Sequence, residues 1–509
     1  MNKIRTQNIF WILTGCLTLL FISKSTSQIS VSNLLQYQLG NLPGASPSDR
    51  TSLYNQLNIN YLYENIRIGG RIEYFNVDNR DQQYSNFQQK FIQYQNENFE
   101  IRLGNFYEIL GKGLLLRTYE IPGVIYEETG SRQRYGFYKD IEGILLRYAT
   151  DHLYVKLLYG NPLDLLQPPA RTRNQRRPSI VQGGEINFNF SPLISPGFLY
   201  LRSEQNNTVN EFAGISFNGN LPIGMQYDLE YVQDTKMQDQ YFIFGSTGRH
   251  AFYGSLSQSF NWANFSIELK DYHEFSLNFN DPPSLVREQP RTLLNRGTHA
   301  IQPQDERGYQ LEGIFNIGGL NTITANHSHA ENKFADRKFI FQEYYVDLNY
   351  YITDRTLGKA FIDWAEDEVI NALARWTMGV LVEQELIKYW SLITDLQTQQ
   401  FKRAYEFSPQ FNHSVKNHLL DLTITKAPNL AFGINLEAAQ DPLESNTLNA
   451  LDKTNYKYWM GFNFNYLYSQ NHSITFFYGE RRGGTACSGG ICYEVQPFNG
   501  FELRLNSIF

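Results

Sequence analysis

The chain is short of charge, of cysteine and of long apolar runs. Among its 509 residues 19% are charged, three are Cys, and only 42% are hydrophobic. After the first 27 residues no apolar stretch approaches the roughly 20 residues that a membrane helix needs. There is no glycine period and no sustained heptad, which excludes collagen-like and coiled-coil chains. Catalytic fingerprints are missing as well: no GxSxG elbow, HExxH helix, Walker loop or dinucleotide fingerprint occurs. The nine His residues are scattered. His327-Ser328-His329 places two rings on one strand face, which reads as a solvent-facing pair near a loop rather than a metal site. No catalytic residue, metal or cofactor is expected, and the chain does not read as an enzyme. A hydrolase built from Ser, His and Asn on separate strands is a minor alternative that spacing does not test.

Aromatics are what the chain has in excess: 34 Tyr, 36 Phe and 6 Trp make up 15% of it, which excludes disorder. Yet the mean hydropathy is −0.43. A chain so rich in Phe and Tyr and still polar on average must leave half of each segment wet.

The N-terminus sets the compartment. Lys3 and Arg5 precede an apolar stretch from Ile9 to Ile22, and small Ser25 and Ser27 stand before Gln28. This is the pattern of a secretory signal peptide over residues 1–27, cleaved near Ser27. Cys16 lies in the middle of the apolar run, so Leu13-Thr14-Gly15-Cys16 does not read as a lipid-attachment box. Removing Lys3, Arg5 and Lys24 takes the formal charge from −7 to −10, a sign that disfavours nucleic acid as a partner.

Along residues 28–509 the pattern has period two. From Tyr456 to Tyr468 every second residue is Tyr, Phe or Met, and the intervening ones are mostly Lys, Gly and Asn. Successive side chains of a strand point to opposite faces, so this is a strand with one apolar and one mostly polar face. The same holds around Phe99–Leu103, Ile186–Phe190, Met225–Tyr231, Leu420–Thr425 and Phe501–Leu505. Short turn signals such as Glu64-Asn65, Asp151-His152, Gly318-Gly319 and Gln470-Asn471 alternate with longer polar connections. Such alternation predicts an all-β fold, a transmembrane antiparallel β-barrel of about 24 strands (roughly 20 to 26), with short periplasmic turns and longer outer loops. It is a single domain spanning 28–509 in the outer membrane of a Gram-negative bacterium. Its aromatic face meets outer-membrane lipid and lipopolysaccharide. The final residue, Phe509, resembles the C-terminal signal that the barrel-assembly machinery reads in outer-membrane proteins.

The opposite face lines a lumen. Arg67, Arg71, Glu73, Glu100 and Arg102 are candidate lumen or constriction residues, with Asp228, Glu230, Asp347, Asp421, Lys457, Glu502 and Arg504 further along. Both signs occur, which favours a mutually paired polar interior over a charge-selecting pore. Barrels of about 22 strands are plugged in transporters, and no plug domain stands before the first strand here, so loops or a partner must fill so wide a lumen. The best internal candidate is 110–140, with Gly111, Gly113, Leu114, Leu115 and Leu116, where Arg117 and Glu120 are expected to pair. The first expectation for this segment is nevertheless an ordinary external loop or a strand extended beyond the membrane, with the inward fold as its alternative. Arg171, Arg173, Arg176 and Arg177 form either a solvated loop or an anion-binding cluster suited to phosphate. Cys487 and Cys492, with Gly489-Gly490 between them, read as a small disulfide-closed loop worth about 2 kcal/mol; no further Cys or His lies alongside to complete a zinc site.

Two stretches, GNFYxxxGxGLLLRxYE at 104–120 and RRGG…CSGGxC at 481–492, resemble a Bacteroidetes-type family of outer-membrane β-barrel proteins of unknown function. The resemblance implies a signal peptide, a large barrel and outer-membrane location, and carries no functional residue. A passive or loop-gated channel or an export accessory of unknown substrate is the leading expectation. A structural or docking barrel with an unidentified protein partner is the alternative.

Overall fold

The computed structural model describes residues 27–163, 179–205, 208–235, 248–277, 279–284, 287–300, 304–334, 337–403, 413–441, 456–488 and 490–509. Most of the signal-peptide segment and the four arginines at 171, 173, 176 and 177 lie outside the described residues. The wall is one antiparallel sheet of 24 strands, the number expected from the hydropathy alternation. Each strand pairs with its neighbour in sequence, and the sheet closes on itself through Ser32–Asn41 against Asn499–Ile508. Closure leaves no edge, the condition for a sheet in lipid.

Alternation sets the two faces. On Ala372–Ile387 the side chains of Arg375 and Thr377 are buried inside the barrel, while Trp376, Met378 and Val380 between them are 46–48% exposed on the outside. The short turns all lie at one end. Tyr63 and Ile66 close around Glu64-Asn65, Ile387 and Trp390 around Lys388-Tyr389, and Ser469 and His472 around Gln470-Asn471. The first strand begins and the last strand ends at this end, where the Phe509 amide donates to the Val31 carbonyl at 2.8 Å.

The outward face carries rings in contact from strand to strand, as between Tyr344 and Trp364 at 5.7 Å and between Phe265 and Phe315 at 5.5 Å. His327 and His329 belong to this face. The inward residues of their strand are Asn326, Ser328 and Ala330, so the two rings point outward, with His327 stacked on Tyr344 at 4.2 Å and His329 beside Tyr309 at 5.4 Å. This corrects the reading of a solvent-facing pair: the register of Asn321–Phe334 against its neighbours places them within the aromatic wall.

Among the described residues, three connections on the opposite end turn inward, two of them with small sheets of their own. Residues 107–140 hold the pairs Ile109–Leu110 with Leu116–Arg117 and Tyr119–Glu127 with Arg134–Lys139. Residues 274–304 contain the short helix Thr292–Asn295. Residues 482–497 hold the hairpin Gly484–Ser488 with Ile491–Val495.

The outward face should not tolerate charge at mid-height. Met378→Arg is expected to destabilise the membrane-folded barrel by about 2–4 kcal/mol, whereas Gln400→Arg near the outer rim should cost about 0–1 kcal/mol. Denaturant titration of refolding into lipid vesicles measures both.

Candidate functional site in the barrel lumen

Each wall residue singled out from the sequence faces the lumen, though they do not form one cluster. Arg67 donates to the Asn60 side chain at 3.1 Å, and Arg102 lies 3.8 Å from the centre of the Phe91 ring. Glu100 meets Arg147 at 2.7 Å. Arg71 binds Asn58 through Nε at 2.6 Å and Glu120 through Nη2 at 2.5 Å. Glu73, fully buried, accepts from the Gly136 amide at 3.3 Å.

Glu120 therefore does not pair with Arg117. It is taken by Arg71 and by the Tyr107 hydroxyl, which donates at 2.9 Å. The Arg117 amide instead donates to the Asn280 side chain at 2.6 Å. The reason is geometric: positions three apart in extended chain point to opposite sides, and the two residues sit in separate small sheets.

The glycine-leucine motif builds the first inward segment. Leu110, Leu114, Leu115 and Leu116 are fully buried and pack in one apolar core with wall residues that include Leu145, Leu199 and Phe212. At the turn, Gly111 has φ +54°, and a Cβ there would stand 1.9 Å from a Glu230 oxygen. Only glycine allows that approach. The wall glutamates use it: Glu185 accepts from the Gly111 amide at 2.5 Å and Glu230 from the Lys112 amide at 2.6 Å. Lys156 then bridges Glu108 and Glu185 at 3.1 and 2.9 Å. At the segment's far end Glu127 takes Arg132 and Arg134 at 2.7 and 2.8 Å. Burial alone would raise the Glu127 carboxyl, but the two guanidiniums hold it below the usual carboxylate range.

The second segment joins the first to the far wall. Asn280 donates to the carbonyls of Gly113 and Leu114 at 3.1 and 2.6 Å, and Asp281 accepts from Lys139 and Tyr119 at 2.6 and 2.9 Å. At the short helix, the Leu293 amide and carbonyl are held by wall residues Gln397 and Gln399, each at 3.1 Å. Arg296 binds both Glu437 oxygens, Arg375 donates to the Gly297 carbonyl at 2.6 Å, and His299 lies between Asp367 at 2.8 Å and Glu306 at 3.6 Å.

The third segment locks onto the second. The Cys487–Cys492 disulfide expected from the sequence closes its hairpin. Asn295 binds the Cys487 backbone twice, donating to its carbonyl at 3.1 Å and accepting from its amide at 2.8 Å. Tyr493 packs on Phe137 of the first segment at 5.0 Å. Each inward segment thus touches the other two, and together they reach the wall from Arg71 round to Glu437.

Sequence reading missed Asn280, Asn295 and His299, because 274–304 carries neither a period nor a motif. Its one signal is the local pair Leu293-Leu294, both buried, within an otherwise polar connection. Among the described residues no group of three or more His, Cys, Asp or Glu assembles into a metal-binding arrangement.

Comparison with known proteins adds the following. The sequence pattern of a family of unknown function, DUF6029, matches residues 10–210 and 381–509. No curated protein matches the chain. Among solved structures, the chain resembles OccK3 (OpdO) of Pseudomonas aeruginosa at 12% identity and TM-score 0.41, covering 70% of this chain and 94% of that one. It also resembles the translocation pore of the P pilus usher PapC at 10% identity and TM-score 0.43, covering 95% and 99%. A third is Wzi of Escherichia coli, a carbohydrate-binding outer-membrane β-barrel involved in group 1 capsule assembly, at 11% identity and TM-score 0.36, covering 71% and 84%.

His299 offers a test of how the second segment is held. Burial alone would lower its imidazole, but the contacts with Asp367 and Glu306 outweigh this and raise it to about 9. A folded-state value above the unfolded one of about 6.5 contributes stability that is full below pH 6.5 and lost as pH rises through 9. The contribution is of order 3 kcal/mol. Amide exchange around 287–300 should therefore speed up between pH 7 and 10 beyond the intrinsic rate, and His299→Gln should abolish that extra dependence.

Proposed function

Since the chain belongs to DUF6029, a family of unknown function, its role has to be read from its own geometry, and we propose that it is an outer-membrane channel held shut by three of its own connections. One observation carries this reading. Each inward segment leaves and re-enters the wall at residues that pair with each other: Phe106 with Ile141, His273 with Asp305, and Arg481 with Phe498. The hydrogen-bond ladder of the wall is complete without them. They contribute nothing to closure of the sheet, yet they fill a bore that a barrel of this strand number would otherwise leave wide.

The way they are held suits a gate. Beside the apolar clusters, which also seat Tyr135 among Tyr54 and Phe75 and Leu294 among Tyr345 and Phe361, the segments meet charged and amide groups of the wall: Glu185, Glu230, Arg71, Gln397, Gln399 and Glu437. Polar contacts of this kind are geometrically demanding but contribute little net stability once the cost of desolvation is counted. Water entering the lumen can replace them more readily than it could replace an apolar seam. The solute is a polar one, since the lumen carries both signs of charge. Outer-membrane residence further implies contact with lipopolysaccharide and recognition of Phe509 during assembly.

The experiment is conductance in planar bilayers. The intact barrel should show low or intermittent conductance. A variant in which short linkers join Phe106 to Ile141, His273 to Asp305 and Arg481 to Phe498 should conduct steadily and at least several-fold more. A shortened barrel that keeps its β circular dichroism and its resistance to dodecyl sulfate, yet conducts no better than the parent, would refute the gate and favour a docking role.

A further inference from the structure

The turns at the short-loop end are not alike. Between their closing pairs, most carry charge or amide: Glu64-Asn65, Glu97 between two Asn, Asp151-His152, Asp354-Arg355, Lys388 beside an exposed Tyr389, Asn429 and Gln470-Asn471. Four consecutive turns instead carry apolar tips. These are Leu193, Ile223, Trp262 and Leu320, at 48%, 68%, 57% and 75% exposure. They join eight successive strands, from Ser179–Phe188 to Asn321–Phe334, or one third of the 24-strand wall.

On the outward face of the same strands an apolar stretch runs from these tips to charges nearer the other end. The first outward charges met on leaving these tips are Arg202, Glu211, Asp271 and Glu331. Arg202 and Glu211 face each other on adjacent strands, 3.6 Å apart, and Glu331 binds Arg307 at 2.8 Å. They stand nine residues from Leu193, twelve from Ile223, nine from Trp262 and eleven from Leu320. A tilted strand needs about 9–11 residues to cross the hydrocarbon layer. For Leu193 and Trp262 the stretch reaches that length only if the tip is counted in it, and for Ile223 and Leu320 the tip extends a stretch that already reaches it.

The rings make the apolar surface continuous from wall to tip. Trp262 packs against Phe260, Phe265 and Phe315 at 6.0, 5.8 and 6.2 Å. Phe190, 71% exposed, stacks on Phe188 at 5.6 Å. Trp and Phe clustered where a wall meets its end are suited to the headgroup boundary, where an apolar body is sheltered and a polar tip stays wet.

We propose that this third of the rim, with tips Leu193, Ile223, Trp262 and Leu320, is sunk in the inner leaflet, so that the barrel sits tilted with its opposite rim standing in the aqueous space. The occupant of the apolar rim is phospholipid. The inference rests on the membrane reading above and adds the seating of the barrel in the bilayer.

The test uses single nitroxide labels on the full-length barrel in phosphatidylcholine vesicles, with the native disulfide intact. Ile223→Cys and Leu320→Cys carry tip labels, Glu64→Cys and Gln470→Cys opposite-rim labels, and Val380→Cys a mid-wall label. The ratio of oxygen to nickel-chelate collision rates should be several-fold higher at 223 and 320 than at 64 and 470, approaching that at 380. Equal, water-like ratios at all four rim sites, with a lipid-like ratio at 380, would overturn the tilt and leave the barrel in the membrane. That result is also the one expected if the apolar rim is kept for a periplasmic protein. A water-like ratio at 380 would overturn the membrane reading itself. The unlabelled barrel gives an independent answer: brominated phosphatidylcholine should quench the emission component that Trp262→Phe removes, and an unquenched component would count against insertion.

Discussion

Closure of the wall is the constraint from which the rest of the structure follows. In hydrocarbon an unpaired amide or carbonyl costs several kcal/mol, so a sheet can cross only as a ring with every strand paired on both sides. The pairing of Ser32–Asn41 with Asn499–Ile508 completes that ring between segments at opposite ends of the chain. Once the ring is complete, the chain between paired strand ends can go where it likes. Phe106 and Ile141 stay paired whatever lies between them, which is why 34 residues can be diverted into the lumen without weakening the wall.

A ring this wide creates the second problem, an interior too large for wall side chains to fill. The chain solves it in two unlike ways. On one side the four leucines between Leu110 and Leu116 build a dry core against the wall. Around the short helix, ion pairs and amides of Arg296, His299, Gln397 and Arg375 do most of the holding, beside Leu294 packed with Tyr345 and Phe361. The apolar core tolerates small shifts, whereas the polar network depends on matched partners. Asn295, bound twice to the Cys487 backbone, links that second region to the disulfide hairpin.

Much of this was legible in the sequence, for a specific reason. A strand reports its two faces locally, so Trp376-Thr377-Met378-Gly379-Val380 announces lipid on one side and lumen on the other without reference to any other strand. The inward orientation of Arg71 and Glu73, the strand number and the disulfide are all questions of that local kind. The partner of Glu120 is not. Arg117 stood nearest in sequence, but Arg71, 49 residues earlier, stands nearest in space. The histidines at 327 and 329 illustrate the same limit: alternation placed them together, and only the register against Tyr309 and Tyr344 showed which side of the wall they occupy.

By itself, then, the sequence determined an all-β barrel of about 24 strands with an aromatic outer face and one small disulfide loop, because period-two alternation and turn chemistry act over a few residues. The tertiary structure decided that three connections meet inside the lumen, that buried glutamates and arginines pair across it, and that four apolar turn tips come together on one side of the rim. Those outcomes depend on the curvature of the closed sheet and on strand register, which bring together residues far apart in the chain, as in Asn295 with Cys487 and Phe137 with Tyr493. No local pattern encodes such distances.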